Sequence, residues 1–160
     1  MSMDSNMLSE AEMREIEEEL SHSPSKQAAC IEALKVIQRN RGWVSDESLA
    51  ELAEFMKMSP AELDSVATFY NLIFRREVGR HVILICDSVS CWITGYDNLV
   101  AHFKNKLGIE PGQTTSDGRF TLLTIPCLGV CEHAPAMVID RQTFWELTAD
   151  KIDKILEDFK

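Results

Sequence analysis

The sequence predicts a small N-terminal helical bundle over residues 1–75, followed over residues 76–160 by a domain of the α+β or α/β class. Three observations support this division. Apolar residues recur at helical spacing in the first half of the chain, behind repeated helix-start signals. A charged segment around Gly79 then precedes Val82–Cys86, an apolar and mostly β-branched run that is typical of a buried strand. The chain has 160 residues, of which 45% are hydrophobic, and this is enough for two small cores.

The first two helices are predicted from the residues at their ends. Ser9 and Glu12 form a capping-box pattern, which predicts a helix that continues to about Leu20. Ser23-Pro24 predicts the start of the second helix, with serine as the N-cap and proline at the first helical position. Gly42 is expected to end that helix, because glycine readily adopts the left-handed conformation found at helix C-termini.

Two further helices are predicted to begin at Ser45 and Ser59. Each carries apolar residues at the i, i+3, i+4, i+7 spacing of an amphipathic helix. None of the four helices is apolar on every face, so we expect them to pack as a bundle. The positions expected to face its core are Cys30, Ile31, Leu34 and Ile37 in the second helix, Leu49, Leu52, Ala53 and Met56 in the third, and Leu63, Val66, Ala67 and Tyr70 in the fourth.

The second half of the chain is predicted to have the element order β-α-β-β-β-α, which suits a thioredoxin-like layer. The first elements are a strand ending at Cys86, a helix with Leu99, Phe103 and Leu107 that ends at Gly108, and a strand over Phe120–Ile125 after an Asp117-Gly118 turn. Strands over Met137–Ile139 and Thr143–Glu146 follow, and Thr148 caps a last helix. The helical crossover should be right-handed and should make the first two strands parallel.

Charge and hydropathy exclude several classes of function. The chain carries 16 basic and 26 acidic residues, a net charge of -10, whereas a protein that binds a nucleic-acid backbone needs a basic face. No apolar run approaches the roughly 20 residues that span a bilayer. The acidic N-terminal segment resembles neither a secretory signal nor a transit peptide. We therefore expect a soluble protein of a reducing compartment, which neither binds nucleic acid nor inserts into a membrane.

Four of the five cysteines form two close pairs, Cys86 with Cys91 and Cys127 with Cys131. Cys86 ends the first predicted strand, and Cys127 lies just beyond the end of the second. If these strands are parallel, both loops emerge at the same edge of the sheet, where open α/β sheets place their sites. Four converging thiolates repel one another unless a cation or cluster holds them. The two pairs therefore predict a site for zinc or for an iron–sulfur cluster.

The spacing within the pairs favours the iron–sulfur cluster, and zinc stays the alternative. Structural zinc sites typically separate paired cysteines by two residues, whereas four and three residues intervene here. A [2Fe–2S] cluster needs two thiolates on each of two irons, and its ligands must therefore spread more widely. Ser88, Ser90 and Gly129 are small residues that would let backbone N–H groups approach the sulfurs.

The cysteine motifs Cys86–Cys91 (CDSVSC) and Cys127–Cys131 (CLGVC) resemble those of the thioredoxin-like [2Fe–2S] subunit of respiratory NADH:quinone oxidoreductase. The resemblance extends from about Ser9 to the last helix. Supporting strings are Val66-Ala67-Thr68-Phe69-Tyr70, Gly79-Arg80-His81, Pro111-Gly112 and Asp117-Gly118-Arg119-Phe120.

This resemblance implies that Cys86, Cys91, Cys127 and Cys131 are the ligands of one [2Fe–2S] cluster. It also implies a partner subunit that carries FMN, the NADH site and a [4Fe–4S] cluster, together with other subunits of the peripheral arm. The complex would lie on the inner, cytoplasmic face of a bacterial membrane. The chain has no Gly-x-Gly-x-x-Gly fingerprint or phosphate loop. We thus expect an electron-transfer subunit of an oxidoreductase without an NADH or quinone site of its own.

Three alternatives stay open at this point. The same domain type resembles the diaphorase subunits of NAD-linked hydrogenases and formate dehydrogenases. A zinc-stabilised interaction module would use the same four cysteines as a structural clip. A dithiol oxidoreductase is the weakest alternative, because the chain has no thioredoxin-type Cys-x-x-Cys.

Four residues near the motifs or in the helices have simpler interpretations. Cys30 is expected to be a buried free cysteine. His133 is expected to lie outside the ligand set, at the surface or behind the ligands, because cysteines already fill four positions. Trp92 is expected to shield the site, or to lie in the core or at an interface. Pro135 precedes the third predicted strand, where thioredoxin-like folds often have a cis-proline beside the site, so the resemblance implies a cis Ala134-Pro135 bond.

The segment between the two halves carries aromatic and basic residues. Phe69, Tyr70 and Phe74 are interpreted as core aromatics, with a docking patch as the alternative. Arg75 and Arg76 are interpreted as solvated, with salt bridges to a neighbouring subunit as the alternative. The acidic stretch of the first helix is interpreted as a solvent-facing surface that could also steer the approach of a basic partner.

Overall fold

The computed structural model describes residues 8–160. Residues 1–7, which belong to the predicted N-terminal domain and to the acidic N-terminal segment, lie outside the described residues. The fold divides into two compact units, the first ending at Glu77 and the second extending from Val78 to Lys160. None of the helices described is long and apolar enough to span a membrane.

Four α-helices make up the first unit within the described residues. They are α1 (Glu10–His22), α2 (Lys26–Arg41), α3 (Asp46–Met56) and α4 (Pro60–Phe69). Each begins after a serine whose side chain accepts a hydrogen bond from a backbone N–H of the first turn. The capping box predicted at Ser9 is confirmed, and Ser59 forms a second one.

The predicted start of α2 at Ser23-Pro24 is wrong. The N-cap of α2 is Ser25, whose hydroxyl accepts a hydrogen bond from the N–H of Ala28 at 3.2 Å. Helix α1 extends two residues beyond Leu20, and Ser23 becomes its C-cap. The end of α2 is as predicted, because Gly42 forms the C-cap in a positive-φ conformation.

The core of the first unit consists mainly of the apolar positions predicted from helical spacing. Cys30 is buried there as expected, whereas Ile31 and Val66 are only partly buried. The core interpretation of the aromatic pair is wrong, because Phe69 is 79% exposed and Tyr70, the C-cap of α4, is also exposed. The largest fully buried side chains of this unit are Ile16, Leu34, Ile37, Leu52, Met56 and Leu63.

Two arginines tie the helices of the first unit together. The guanidinium of Arg41 donates to both carboxylate oxygens of the buried Glu12, at 2.8 and 2.9 Å. The interpretation of Arg75 as solvated is wrong, since it donates to Asp64 at 3.0 Å and to Asp46 at 2.6 Å. Its salt bridges are therefore made within the same unit, whereas Arg76 is exposed.

A mixed five-stranded sheet forms the centre of the second unit, in the order β2-β3-β1-β4-β5. Its strands are β1 (His81–Cys86), β2 (Gln113–Thr114), β3 (Phe120–Ile125), β4 (Met137–Ile139) and β5 (Gln142–Phe144). The predicted parallel pairing of β1 with β3 is confirmed, with Cys86 opposite Ile125. The other neighbouring pairs are antiparallel.

The helices of the second unit are α5 (Val89–Thr94), α6 (Tyr96–Leu107) and α7 (Ala149–Asp158). The predicted end of α6 at Gly108 and the cap of α7 at Thr148 are confirmed. A continuous core joins the sheet to α6 and α7. It includes Ile83, Ile85, Leu99, Phe103, Phe120, Leu122, Met137, Ile139, Ile152 and Leu156.

The second unit differs from the prediction in its elements and in the bounds of one strand. Helix α5, the two-residue strand β2 and the 3-10 turn Cys131–His133 were not predicted. Strand β5 covers Gln142–Phe144, so its predicted range of Thr143–Glu146 is wrong at both ends. Glu146 leaves the strand because it adopts a left-handed conformation and its N–H donates to the carbonyl of His133 at 2.7 Å.

Candidate metal centre

The two cysteine pairs follow the carboxyl ends of the two parallel strands. Cys86 is the last residue of β1, and Cys127 lies two residues beyond its partner position Ile125 in β3. The N–H of Asp87 donates to the carbonyl of Ile125 at 3.1 Å, which holds the two strand ends together. The loops that carry the cysteines therefore leave the same edge of the sheet.

The first pair, Cys86 and Cys91, is buried. Their exposed fractions are 2% and 3%, and both pack against Ala136. Cys86 is held by its strand and by its N–H, which donates to the carbonyl of Ala136 at 3.0 Å. Cys91 lies in α5, a helix of six residues with Ser88 as its N-cap.

The second pair, Cys127 and Cys131, is exposed to solvent. Their sulfur atoms lie 3.2 Å apart. The N–H of Gly129 donates to the sulfur of Cys127 at 3.3 Å, as expected for a small residue that lets the backbone approach a ligand. Gly129 has a φ of +82, a conformation that a side chain would disfavour.

The thiols influence one another electrostatically. Burial, together with the neighbouring Cys86 thiol and the charge of Cys131, raises the pKa of Cys91 to about 11. The Gly129 N–H lowers the pKa of Cys127, whereas the Cys127 thiol raises the pKa of Cys131. The charge on one pair thus affects the pKa of the other, and metal binding would displace the protons of the thiols.

The arrangement of the donors fits a two-iron cluster. The four thiols form two pairs, and a [2Fe–2S] cluster takes two thiolates on each iron. Structural zinc sites typically separate paired cysteines by two residues, whereas four and three residues intervene here. The chemistry of the residues present therefore fits the cluster.

Three other residues near the site were also subjects of prediction. His133 is at the surface, and its Nδ1 lies 3.0 Å from a carboxylate oxygen of Glu146. The Ala134-Pro135 peptide bond is cis, as predicted. Trp92 is 60% exposed, so the interpretation as a core aromatic is wrong, and its shielding or interface role stays a prediction.

Sequence reasoning missed an apolar surface on α5. Val89, Trp92 and Ile93 are 65%, 60% and 73% exposed, while Cys91 between them is buried. Their i, i+3, i+4 spacing places them on one face of the helix. That spacing, together with Ser88 as a possible N-cap, was the available signal, but the helix is too short for its period to stand out.

Most of the chain is similar to proteins of one family. The model of the thioredoxin-like [2Fe–2S] ferredoxin family matches residues 16–160. A subunit of the NADH-quinone oxidoreductase of Escherichia coli K12 is 49% identical over 153 residues, which covers 96% of this chain and 92% of that protein. The corresponding subunit from Pseudomonas aeruginosa is 46% identical, with coverage of 94% and 91%.

A solved structure shares the fold as well. It is the crystal structure of an NAD+-reducing [NiFe]-hydrogenase in the H2-reduced state, with a TM-score of 0.68 and 29% sequence identity. The match covers 79% of this chain but 22% of the hydrogenase chain. The similarity therefore concerns one part of that larger protein.

Proposed function

Because the chain belongs to the thioredoxin-like [2Fe–2S] ferredoxin family, we propose that it is the electron-transfer subunit of that type in an NADH:quinone oxidoreductase. Homologues at 46% and 49% identity over most of the chain are subunits of that oxidoreductase. The chain is accordingly a component of an enzyme complex. Its own part is to hold one [2Fe–2S] cluster with Cys86, Cys91, Cys127 and Cys131.

The observation that carries this proposal is that the loops with the two cysteine pairs leave the same edge of the sheet, after two parallel strands. When bound there, a [2Fe–2S] cluster accepts and releases one electron at a time. The buried pair, Cys86 and Cys91, would keep water from one side of the site. The Gly129 N–H, which donates to the Cys127 sulfur at 3.3 Å, would stabilise negative charge on the other side.

The electron partner in this proposal is a subunit that carries FMN and the NADH site. The apolar face of α5 supports such docking, since Val89, Trp92 and Ile93 are exposed beside the buried Cys91. An apolar surface next to the ligands would bring the partner close and exclude water between the two redox centres. The neighbours in this proposal also include other subunits of the peripheral arm, on the cytoplasmic face of the membrane.

We likewise propose a division of the chain into an N-terminal helical bundle, residues 1–75, and a thioredoxin-like [2Fe–2S] domain, residues 76–160. The two compact units support it, because the first ends at Glu77 and the second begins at Val78. Limited proteolysis tests it: cleavage confined to Arg75–Arg80 is expected, and early cleavage inside β1 or α4 would contradict it.

A diaphorase-type subunit of an NAD-linked hydrogenase is the second candidate. The hydrogenase match, at 29% identity and a TM-score of 0.68, is the observation that favours it. The homologues from NADH-quinone oxidoreductase, at 46% and 49% identity, favour the first candidate more strongly.

The deciding experiment measures iron, zinc and acid-labile sulfide in anaerobically purified protein, with EPR after reduction by dithionite. About two irons and two sulfides per chain, together with an EPR signal, are expected for a [2Fe–2S] site. One zinc without sulfide would instead identify the zinc-stabilised interaction module. Pull-down then separates the two redox candidates, because a flavin subunit of a quinone reductase or of a hydrogenase would be recovered.

A further inference from the structure

The exposed thiols of Cys127 and Cys131 are in contact with each other. Their sulfur atoms are 3.2 Å apart, within hydrogen-bond distance of each other. A disulfide bond is about 2.05 Å long, so a movement of only about 1.2 Å would join them. Cys127 lies in the irregular segment between β3 and the short 3-10 turn Cys131–His133, where such a movement disturbs no strand or helix.

The other pair differs in both respects. Cys86 and Cys91 are almost completely buried, and solvent reagents reach them only when the structure opens locally. Cys86 is also held at the end of β1, where it lies opposite Ile125 of β3 and its N–H donates to the carbonyl of Ala136. The two pairs, which are equivalent as potential ligands, are therefore unequal as targets for oxidation.

We propose that Cys127 and Cys131 form a reversible disulfide whenever the chain holds no iron, with a low-molecular-weight disulfide such as oxidised glutathione as the oxidant. This inference rests on the proposed function in one respect only. The disulfide would remove two of the four proposed ligands and would prevent cluster binding until a reductant reopens it.

The reaction is a double thiol–disulfide exchange. The thiolate of Cys127 attacks one sulfur of oxidised glutathione, forms a mixed disulfide and releases one glutathione thiolate. Cys131 then attacks the Cys127 sulfur of that mixed disulfide and releases the second glutathione. In total, two cysteine thiols are oxidised to one disulfide, and one oxidised glutathione is reduced to two thiols.

Cleavage after lysine and arginine places the two cysteine pairs on different tryptic peptides, so their oxidation can be followed separately. Trypsin places Cys127 and Cys131 together on the peptide 120–141, and Cys86 and Cys91 together on the peptide 81–104. The iron-depleted, reduced chain is treated anaerobically with oxidised glutathione, quenched with iodoacetamide at intervals and analysed without reduction by mass spectrometry. The oxidation state of each pair is thus measured on a separate peptide, and Cys30 on a third peptide serves as a buried control.

We expect the peptide 120–141 to lose two hydrogens and to escape alkylation, while the thiols of the peptide 81–104 stay reduced. Because buried thiols react only after local opening of the structure, the disulfide should form faster in the exposed pair by about tenfold or more. The variant Cys131→Ser should stop at the mixed disulfide on Cys127, and Cys30→Ala should behave like the wild type. Equal rates in the two pairs, or a lasting glutathione adduct on the wild-type chain, would overturn the inference.

A second measurement separates this inference from the proposed function. Chains with and without the disulfide are incubated with ferrous iron and sulfide, before and after dithiothreitol. If the disulfide form takes up iron only after reduction, the result supports the proposal that the disulfide prevents cluster binding. Equal uptake by both forms refutes it. If the reduced chain takes up zinc but no iron–sulfur cluster, the proposed function fails while the disulfide result stands.

Discussion

Serine substitutions at Cys86 and Cys127 test whether the buried and the exposed cysteine pair bind the same cluster. Each variant replaces one proposed ligand by a hydroxyl, which binds iron far less well than a thiolate. Both variants should therefore lose the cluster. Their effects on the folding of the iron-depleted chain should nevertheless differ, because one cysteine is buried and the other is exposed.

The expected sizes follow from burial. Cys86 is 2% exposed and packs against Ala136, so a hydroxyl there is taken out of water into apolar surroundings. Burying a polar group with incomplete hydrogen bonding costs about 1–3 kcal/mol. Cys127 is exposed, and surface substitutions usually change the free energy of unfolding by less than about 0.5 kcal/mol.

Urea unfolding of the iron-depleted variants measures this difference. Hydrogen exchange of the segment 81–104, which contains all of β1, then tests whether the loss of stability lies in the second unit. Iron and sulfide analysis of the reconstituted variants completes the assay. Equal destabilisation by the two substitutions would refute the assignment of one pair as buried, and a full complement of iron in either variant would refute its role as a ligand.

Three other predictions concern the rest of the chain. Cys30→Ala should keep the full iron and sulfide content and cost about 1 kcal/mol, because Cys30 is a buried core residue far in sequence from the ligands. Trp92→Ala should leave iron content unchanged and weaken binding to the flavin subunit by about tenfold or more in calorimetry, as for a central apolar anchor; unchanged affinity would contradict the docking proposal. Glu12→Gln should lower the free energy of unfolding at neutral pH by about 1.5–3 kcal/mol. The hydrogen bond from Arg41 lowers the pKa of Glu12 below its usual 4.5, so this penalty should shrink as the wild-type carboxyl is protonated in acid, which unfolding curves at several pH values would show.

Local signals in the sequence predicted most of the fold. Capping serines and C-terminal glycines act within one turn of a helix, and the predictions at Ser9, Gly42 and Gly108 were right for that reason. The error at Ser23 arose between two candidate caps only two residues apart. The true one depends on where the preceding helix ends, and this in turn depends on packing.

The errors on the surface have a different cause. Helical spacing identifies an apolar face but does not tell whether another element covers it, and Phe69 was therefore interpreted too readily as a core residue. For Arg75 the reverse holds. Its carboxylate partners Asp46 and Asp64 lie 29 and 11 residues away in the chain, beyond the range of any local pattern.

The sequence alone determined the fold class, the parallel pairing of the two strands and the position of the two cysteine pairs after their carboxyl ends. These follow from short-range periodicity and from the handedness of a helical crossover, which act within one supersecondary unit. Only the tertiary structure decided that Cys86 and Cys91 are buried while Cys127 and Cys131 contact each other at the surface. Burial depends on which distant segments pack over a side chain, and here Ala136 covers the first pair while the loop after β3 leaves the second open to solvent.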